Sequence, residues 1–211
     1  MVVCADMIVF ALLTTAATRN APKVLPSDCV ANGTLVGSVA SLSYYTALVE
    51  LAATAVAAGF RCIAAQAMDE MVEQRIISDG STTVAMLPAP ASRLQPEARW
   101  CDPGMTMRVK YGWRRSHLYR VLMWRNVLSL GYDLLAVDCD WRFVSSPLPS
   151  ILSIWPKTDV IAYWDGVKQK MLNVGLMWLR STPDVLATVK RVQNRTWAGW
   201  EQAVFTEELN W

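Results

Sequence analysis

The sequence has few charged groups and a single histidine. Only 18% of its residues are charged, the formal net charge is +2, and the lysines and arginines form no dense block. The chain therefore offers no electrostatic footprint for a nucleic-acid backbone, and we expect no nucleic-acid partner. Nothing near His117 resembles a nucleophile elbow, which argues against Ser-His-Asp or Cys-His chemistry. We expect His117 to lie on a helix surface.

Cysteine pairs at metal-binding spacing are also absent. The five cysteines include no CxxC pair and no cluster with histidine. We expect them to be small buried hydrophobic residues. The alternative is a disulfide bond that involves Cys29 or Cys101, if the protein matures in an oxidising compartment.

No apolar run is long enough to cross a bilayer. The segment Met7 to Ala17 is shorter than the roughly 18 to 20 residues required. It resembles the apolar region of a signal peptide, although no positive residues precede it. Residues 1–32 are therefore interpreted as a leader and linker, a possible remnant of a signal or anchor, and residues 33–211 as one domain. A membrane anchor is the alternative interpretation of this segment.

What the sequence does contain is a hydrophobic content of 53% in 211 residues, enough for the core of one domain. Apolar strand patterns alternate with helical ones, which predicts an α/β fold with a mostly parallel sheet and helices on both faces. Residues 79–112 form a long loop in this interpretation. The predicted strands are 34–40, 60–65, 132–137, 160–163 and 174–179, and the predicted helices are 44–58, 114–130 and 183–195.

Acidic residues follow two of these strands, Asp69 after the second and Asp138 with Asp140 after the third. In open sheets of this class, ligands bind outside the carboxyl ends of the strands. Two carboxylates that leave a buried strand together repel each other unless a cation lies between them. Mn²⁺ or Mg²⁺ suits such oxygen ligands and neutralises a departing diphosphate. The alternative is a solvated acidic turn or a helix N-terminal cap.

Three stretches of the sequence resemble motifs of glycosyltransferase family 77, the plant and algal nucleotide-diphospho-sugar transferases. They are RRSHLYRVLMWRNVLSL with GYDLLAVDCDWRFVSSPLPSI, LNVGLMWLRST, and EQAVFTEELN, in the family's order. The resemblance implies a GT-A fold and a retaining transfer from a UDP-sugar, usually of a pentose or galactose. It also implies a glycan or glycoprotein acceptor and a requirement for Mn²⁺ or Mg²⁺.

The same resemblance assigns residues to the donor site. Asp138 and Asp140 would hold the metal and the diphosphate, and Asp69 would border the nucleoside. Arg120 lies on the helix before the Asp-x-Asp strand and is a candidate phosphate ligand. A solvated helix face is the alternative for Arg120 and for Arg125.

Three further residues match family motifs near the reacting sugar. Asn173 corresponds to the Asn of an NTG strand, and Glu201 with Gln202 to an Asp-Gln pair. A carboxylate or amide there would stabilise the positive charge that develops as the donor bond breaks. The alternatives are a turn residue for Asn173 and a helix N-terminal acidic residue for Glu201.

The sequence departs from the family pattern at Glu201, which replaces Asp, and at Val174, which replaces Thr. It ends at Trp211, soon after the last motif, so we expect C-terminal truncation and no third metal ligand. A non-catalytic module that binds sugar nucleotides or glycans is therefore an alternative function, and an Asp-x-Asp phosphatase is a third. Sequons at Asn32 and Asn194 favour a Golgi or secretory location.

Overall fold

The computed structural model describes residues 25–88, 107–154, 156–165, 171–196 and 200–209, without the side chains of 107–114. The apolar segment 7–17, Cys101 and most of the predicted loop 79–112 lie outside the described residues. The strands are β1 Thr34–Ala40, β2 Ile63–Ala67, β3 Val84–Met86, β4 Asp133–Val137, β5 Val160–Trp164 and β6 Leu172–Leu179. The helices are α1 Tyr45–Ala57, α2 Glu70–Ser78, α3 Met107–Ser129, α4 Leu148–Ile154, α5 Pro183–Thr196 and α6 Glu201–Leu209.

The strands form one sheet in the order β3-β2-β1-β4-β6-β5. The first four in this order are mutually parallel, whereas β6 is antiparallel to both β4 and β5. Only β6 therefore runs against the others, and the predicted mostly parallel α/β sheet is confirmed. The carboxyl ends of β1, β2 and β4 and the start of β6 meet at the same edge.

Helices cover both faces of this sheet, as predicted. One core packs α1, α2 and α4 against it, with Leu51, Val72 and Ile151 among its buried residues. The opposite core packs α3, α5 and α6, and includes Trp124 and Phe205 with ring centroids 5.4 Å apart. Because both faces are covered, the central strands are almost wholly apolar.

Several local boundaries differ from the predictions. Helix α3 begins at Met107 rather than residue 114, so residues 107–112 of the predicted loop are helical, and strand β3 also lies within that predicted loop. Strand β2 begins at Ile63 rather than residue 60, because Gly59 and Phe60 cap α1: their N–H groups donate to Val56 and Ala55 at 3.0 Å. Gly59 adopts a φ of 96°, which only glycine adopts readily, so this is a Schellman-type helix end. Helix α2, which the sequence patterns do not predict, follows β2 directly.

The end of the predicted linker packs on the domain. A 3₁₀ turn at Pro26–Cys29 places Cys29 in a disulfide bond with Cys62, and both are buried. Cys62 is thus paired, while Cys139 is a buried free cysteine as expected. Burial, with the charges of Asp138 and Asp140, raises the pKa of Cys139 to about 11. Among the described helices, none is long and apolar enough to cross a membrane.

Candidate functional site

The turn after β4 carries the Asp-x-Asp pair. The Asp138 N–H donates to Gly175 O at 2.7 Å, and the Trp141 N–H donates to Asp138 O at 3.1 Å. These bonds fix the backbone where it leaves the sheet. Asp138 is partly exposed and Asp140 is exposed. A buried strand thus delivers both carboxylates to the edge where ligands bind in sheets of this class.

The side chains of Asn173 and Asp138 both lie against Gly175 on β6. A Cβ atom at residue 175 would lie 2.5 Å from Asp138 Oδ2 and 3.0 Å from Asn173 Oδ1, so only glycine fits. The Gly175 N–H donates to Asn173 Oδ1 at 2.8 Å, which orients the Asn173 amide. Sequence analysis did not single out Gly175, although a glycine inside a strand often marks a close approach of this kind.

Arg120 on α3 joins Asp138 to Glu201. One guanidinium nitrogen lies 2.5 Å from Asp138 Oδ1, and the other donates to Glu201 Oε1. The Arg120 side chain is largely buried rather than spread over a solvated helix face. The structure therefore brings together three predicted site residues from α3, β4 and α6.

Glu201 is enclosed on both sides. Its side chain is 0% exposed, with Oε1 at Arg120 and Oε2 at His117 Nδ1. The prediction of a surface His117 is wrong, because this residue is 4% exposed and its Nδ1 contacts Glu201 Oε2. The partner lies far along the chain, so helix periodicity could not identify it. Arg125, the other helix arginine, donates to Gln193 Oε1 at 3.0 Å.

The charges at the site shift two carboxyl groups in opposite directions. Burial raises the pKa of Asp138; Arg120 opposes this effect, but Asp140 and Glu201 reinforce it, and the net shift is upward. Burial also raises the pKa of Glu201, but the hydrogen bond to His117 and the charge of Arg120 outweigh it and hold that pKa below its ordinary value. The charge of Arg120 therefore does not offset the burial of Asp138, whereas Arg120 and His117 together compensate Glu201.

Gln202 links α6 to the strands beside Glu201. Its Oε1 accepts from the Val174 N–H at 3.5 Å, and its Nε2 donates to Asp165 Oδ2 at 2.7 Å. The amide therefore lies between the start of β6 and the end of β5. Gln202 thus contacts the residue that follows Asn173 in the sequence.

Asp69 lies apart from this cluster. Its Oδ1 accepts from the Val72 N–H at 2.8 Å as the N-cap of α2, and its Oδ2 accepts from the Leu42 N–H at 3.2 Å. Strand β1 separates β2 from β4, which places the two strand ends about 10 Å apart. Asp69 therefore lies at the same edge of the sheet as Asp138, but its carboxylate caps the N-terminus of α2.

Asp138 and Asp140 fit a divalent cation that keeps other positions for substrate phosphate and water. Their mutual repulsion, which helps to raise the pKa of Asp138, is the charge imbalance that a cation would relieve. The part of the chain that the structure describes contains no group of three His, Cys, Asp or Glu residues that could hold a metal. Two carboxylates are thus the protein ligands that the described site offers.

Comparisons with known proteins identify the family of this chain. Residues 62–211 match the family model described as nucleotide-diphospho-sugar transferase. Among solved structures, the glycosyltransferase GlyE of Streptococcus pneumoniae TIGR4 is similar, with 11% identity and a TM-score of 0.48. The match covers 82% of this chain and 42% of that one. A search of curated proteins found no significant match. Since the family match spans most of the sequence, the chain belongs to the nucleotide-diphospho-sugar transferase family.

Proposed function

We propose that the protein transfers a sugar from a UDP-sugar to a hydroxyl of a glycan or glycoprotein, with retention of configuration and with Mn²⁺ or Mg²⁺. A pentose or galactose is the proposed sugar, on the resemblance to glycosyltransferase family 77. The observation that carries the proposal is the convergence of Asp138, Arg120, Asn173 and Glu201 at one edge of the sheet. The motifs that supply these residues are widely separated in the sequence.

At the diphosphate, Asp138 and Asp140 would hold the cation, which supplies positive charge for the leaving group. Arg120 adds a second positive charge beside Asp138. A guanidinium group donates several hydrogen bonds in a fixed plane and suits phosphate oxygens. When a diphosphate binds, Arg120 therefore has a ligand that competes with Asp138 for its donors.

At the sugar, the amides of Asn173 and Gln202 are proposed to donate hydrogen bonds. Each is oriented by a backbone N–H, from Gly175 and Val174 respectively. Glu201 is also proposed to stabilise the positive charge that develops on the sugar. Because its carboxylate is enclosed by Arg120 and His117, it acts through Arg120 in this structure.

The Golgi or secretory lumen is the proposed location. A disulfide bond such as Cys29–Cys62 persists in oxidising compartments and is rare in the cytosol. The sequon residues Asn32 and Asn194 are both exposed, as glycosylation requires. These two observations support the proposal independently of the motifs.

A thermal-shift screen of UDP-, GDP- and ADP-sugars with and without Mn²⁺ tests the donor site. We expect a UDP-sugar to raise the melting temperature only with the metal, because the cation would supply the positive charge that the diphosphate requires. The double variant Asp138→Ala/Asp140→Ala should lose this shift. A shift of equal size without metal, or in the double variant, would contradict the proposed site.

A second function, donor binding without turnover, is favoured by the enclosure of Glu201, whose two oxygens contact Arg120 and His117. It predicts the same thermal shift. Hydrolysis of the UDP-sugar in the absence of an acceptor distinguishes the two functions, since only an active transferase releases free sugar and UDP.

A further inference from the structure

Two exposed aromatic side chains lie together beside the Asp-x-Asp turn. The rings of Trp141 and Tyr163 are stacked, with centroids 6.2 Å apart and planes inclined by 27°. Trp141 is 40% exposed and Tyr163 is 59% exposed. Exposed aromatic area of this size costs hydration free energy, so its position next to a site suggests a ligand.

Both residues are tied to the candidate site, by different routes. Trp141 follows Asp140 directly in the sequence. Tyr163 lies opposite Asn173 in the antiparallel ladder of β5 and β6. The ring pair therefore borders both the metal-binding turn and the amide that is proposed to face the sugar.

The turn that carries Trp141 is held in place. Arg142 Nη1 donates to Cys139 O at 3.2 Å and to Trp141 O at 2.7 Å, and Nη2 pairs with Glu50 on α1. The indole thus projects from a backbone that Arg142 braces.

Strand order fixes where the rings lie relative to the donor. Along the ligand-binding edge come Asp69 after β2, Asp138 after β4, Asn173 on β6 and Tyr163 on β5. If the nucleoside lies near Asp69 and the diphosphate at Asp138, the donor sugar points toward Asn173. Two strand spacings of about 4.8 Å separate β4 from β5, which is roughly the span of one or two sugar rings. The aromatic pair is therefore on the acceptor side.

We propose that Trp141 and Tyr163 form an acceptor subsite that stacks on a sugar ring of the acceptor glycan. The C–H groups on one face of a pyranose or furanose are apolar and pack on an aromatic face, while the hydroxyl groups at the rim stay hydrated. This inference rests on the proposed function, because it names the acceptor surface of that same site. The rings therefore contact the acceptor sugar and not the nucleobase of the donor.

Saturation-transfer NMR on the full chain with UDP and Mn²⁺ tests the subsite. The probes are methyl β-D-galactopyranoside and methyl α-L-arabinofuranoside. We expect saturation of the ring protons of at least one glycoside, and a loss of most of that signal in Trp141→Ala and in Tyr163→Ala. Both side chains are exposed, so neither variant should lower the melting temperature much.

Trp164→Ala is the matched control, because Trp164 is 55% exposed on the same strand but is not stacked on Trp141. It should keep the wild-type signal and the wild-type UDP affinity. Absence of saturation transfer to both glycosides in the wild type, or equal signals in all variants, would overturn the subsite.

Two other outcomes would also overturn it. A weaker UDP affinity in Trp141→Ala would show that the rings stack on the nucleobase. A wild-type dimer that becomes monomeric in Trp141→Ala, seen by sedimentation, would show that the rings pack against a second copy. If UDP fails to bind while the glycoside signal still depends on Trp141, the donor proposal fails and the subsite stands.

Discussion

At the scale of single residues, the closest backbone approach in the site is that of Gly175 to Asp138. A Cβ at residue 175 would come within 2.5 Å of a carboxylate oxygen whose partner oxygen is held by Arg120. The carboxylate has little freedom to move aside, because Arg120 is itself paired with Glu201. The position of Asp138 therefore depends on residue 175 being a glycine, which has no side chain.

Gly175→Ala should accordingly displace Asp138 and abolish the Mn²⁺-dependent thermal shift with UDP. Overpacking of this kind also costs about 1 to 3 kcal/mol of folding free energy. The matched control is Gly37→Ala, where the new Cβ would meet Leu134 Cδ1 at 2.8 Å and Met123 Sδ at 3.0 Å, far from the carboxylates. Calorimetry should find weakened UDP binding only in Gly175→Ala. Equal UDP affinity in the two variants would show that Asp138 tolerates the clash.

At the scale of elements, helices α3 and α6 are joined by the buried pairs of Glu201 with His117 and Arg120. The loss of a hydrogen bond to a buried carboxylate costs about 1.5 to 3 kcal/mol. His117→Ala should lose roughly this amount of unfolding free energy in urea titrations at neutral pH. It should also weaken UDP binding, because Glu201 positions Arg120.

The pH dependence follows from the lowered pKa of Glu201, which burial opposes and His117 and Arg120 produce. A carboxyl group whose folded pKa is depressed stabilises the fold fully above its unfolded pKa, and this contribution is lost as the pH falls through the folded value. The deficit of His117→Ala should therefore be largest near neutral pH and shrink below about pH 4. A constant deficit over this range would contradict the pairing.

Arg195→Ala is the control for helix docking, because Arg195 pairs with Glu207 and Glu208 on the exposed side of α6. Exposed pairs contribute little to stability, so this variant should behave like the wild type in both measurements. Equal losses in His117→Ala and Arg195→Ala would show that α6 docking alone, and not the buried pair, sets the stability.

The elements also show what sequence patterns capture. Strands β1 and β4 and helix α5 lie close to their predicted bounds, because buried strands are continuous apolar runs and α5 repeats its valines with helical spacing. Helix α2 is missed because its sequence, EMVEQRIIS, is short and mostly polar. The contact of His117 with Glu201 depends on how α3 and α6 pack, which no local pattern contains. The motifs bring Asp138, Asn173 and Glu201 into one cluster, while their roles stay predictions.

At the scale of the whole molecule, the folded unit extends beyond the residues that match the family. The match begins at residue 62, yet β1 lies between β2 and β4 near the middle of the sheet. The disulfide bond of Cys29 with Cys62 ties the segment before β1 to the start of β2. The segment from Pro26 therefore contributes to the stability of the domain rather than serving as a linker.

The double variant Cys29→Ser/Cys62→Ser should lower the free energy of unfolding by about 3 to 4 kcal/mol. The bond joins residues separated by 33 positions, and closing a loop of that length restricts the unfolded chain. Reductant should lower the stability of the wild type by a similar amount and leave the double variant unchanged, measured by urea unfolding. The donor site lies at the opposite end of β2, so UDP binding should persist in the folded fraction. If reductant leaves the wild type unaffected, the bond does not form in solution, and the argument for an oxidising compartment loses its structural support.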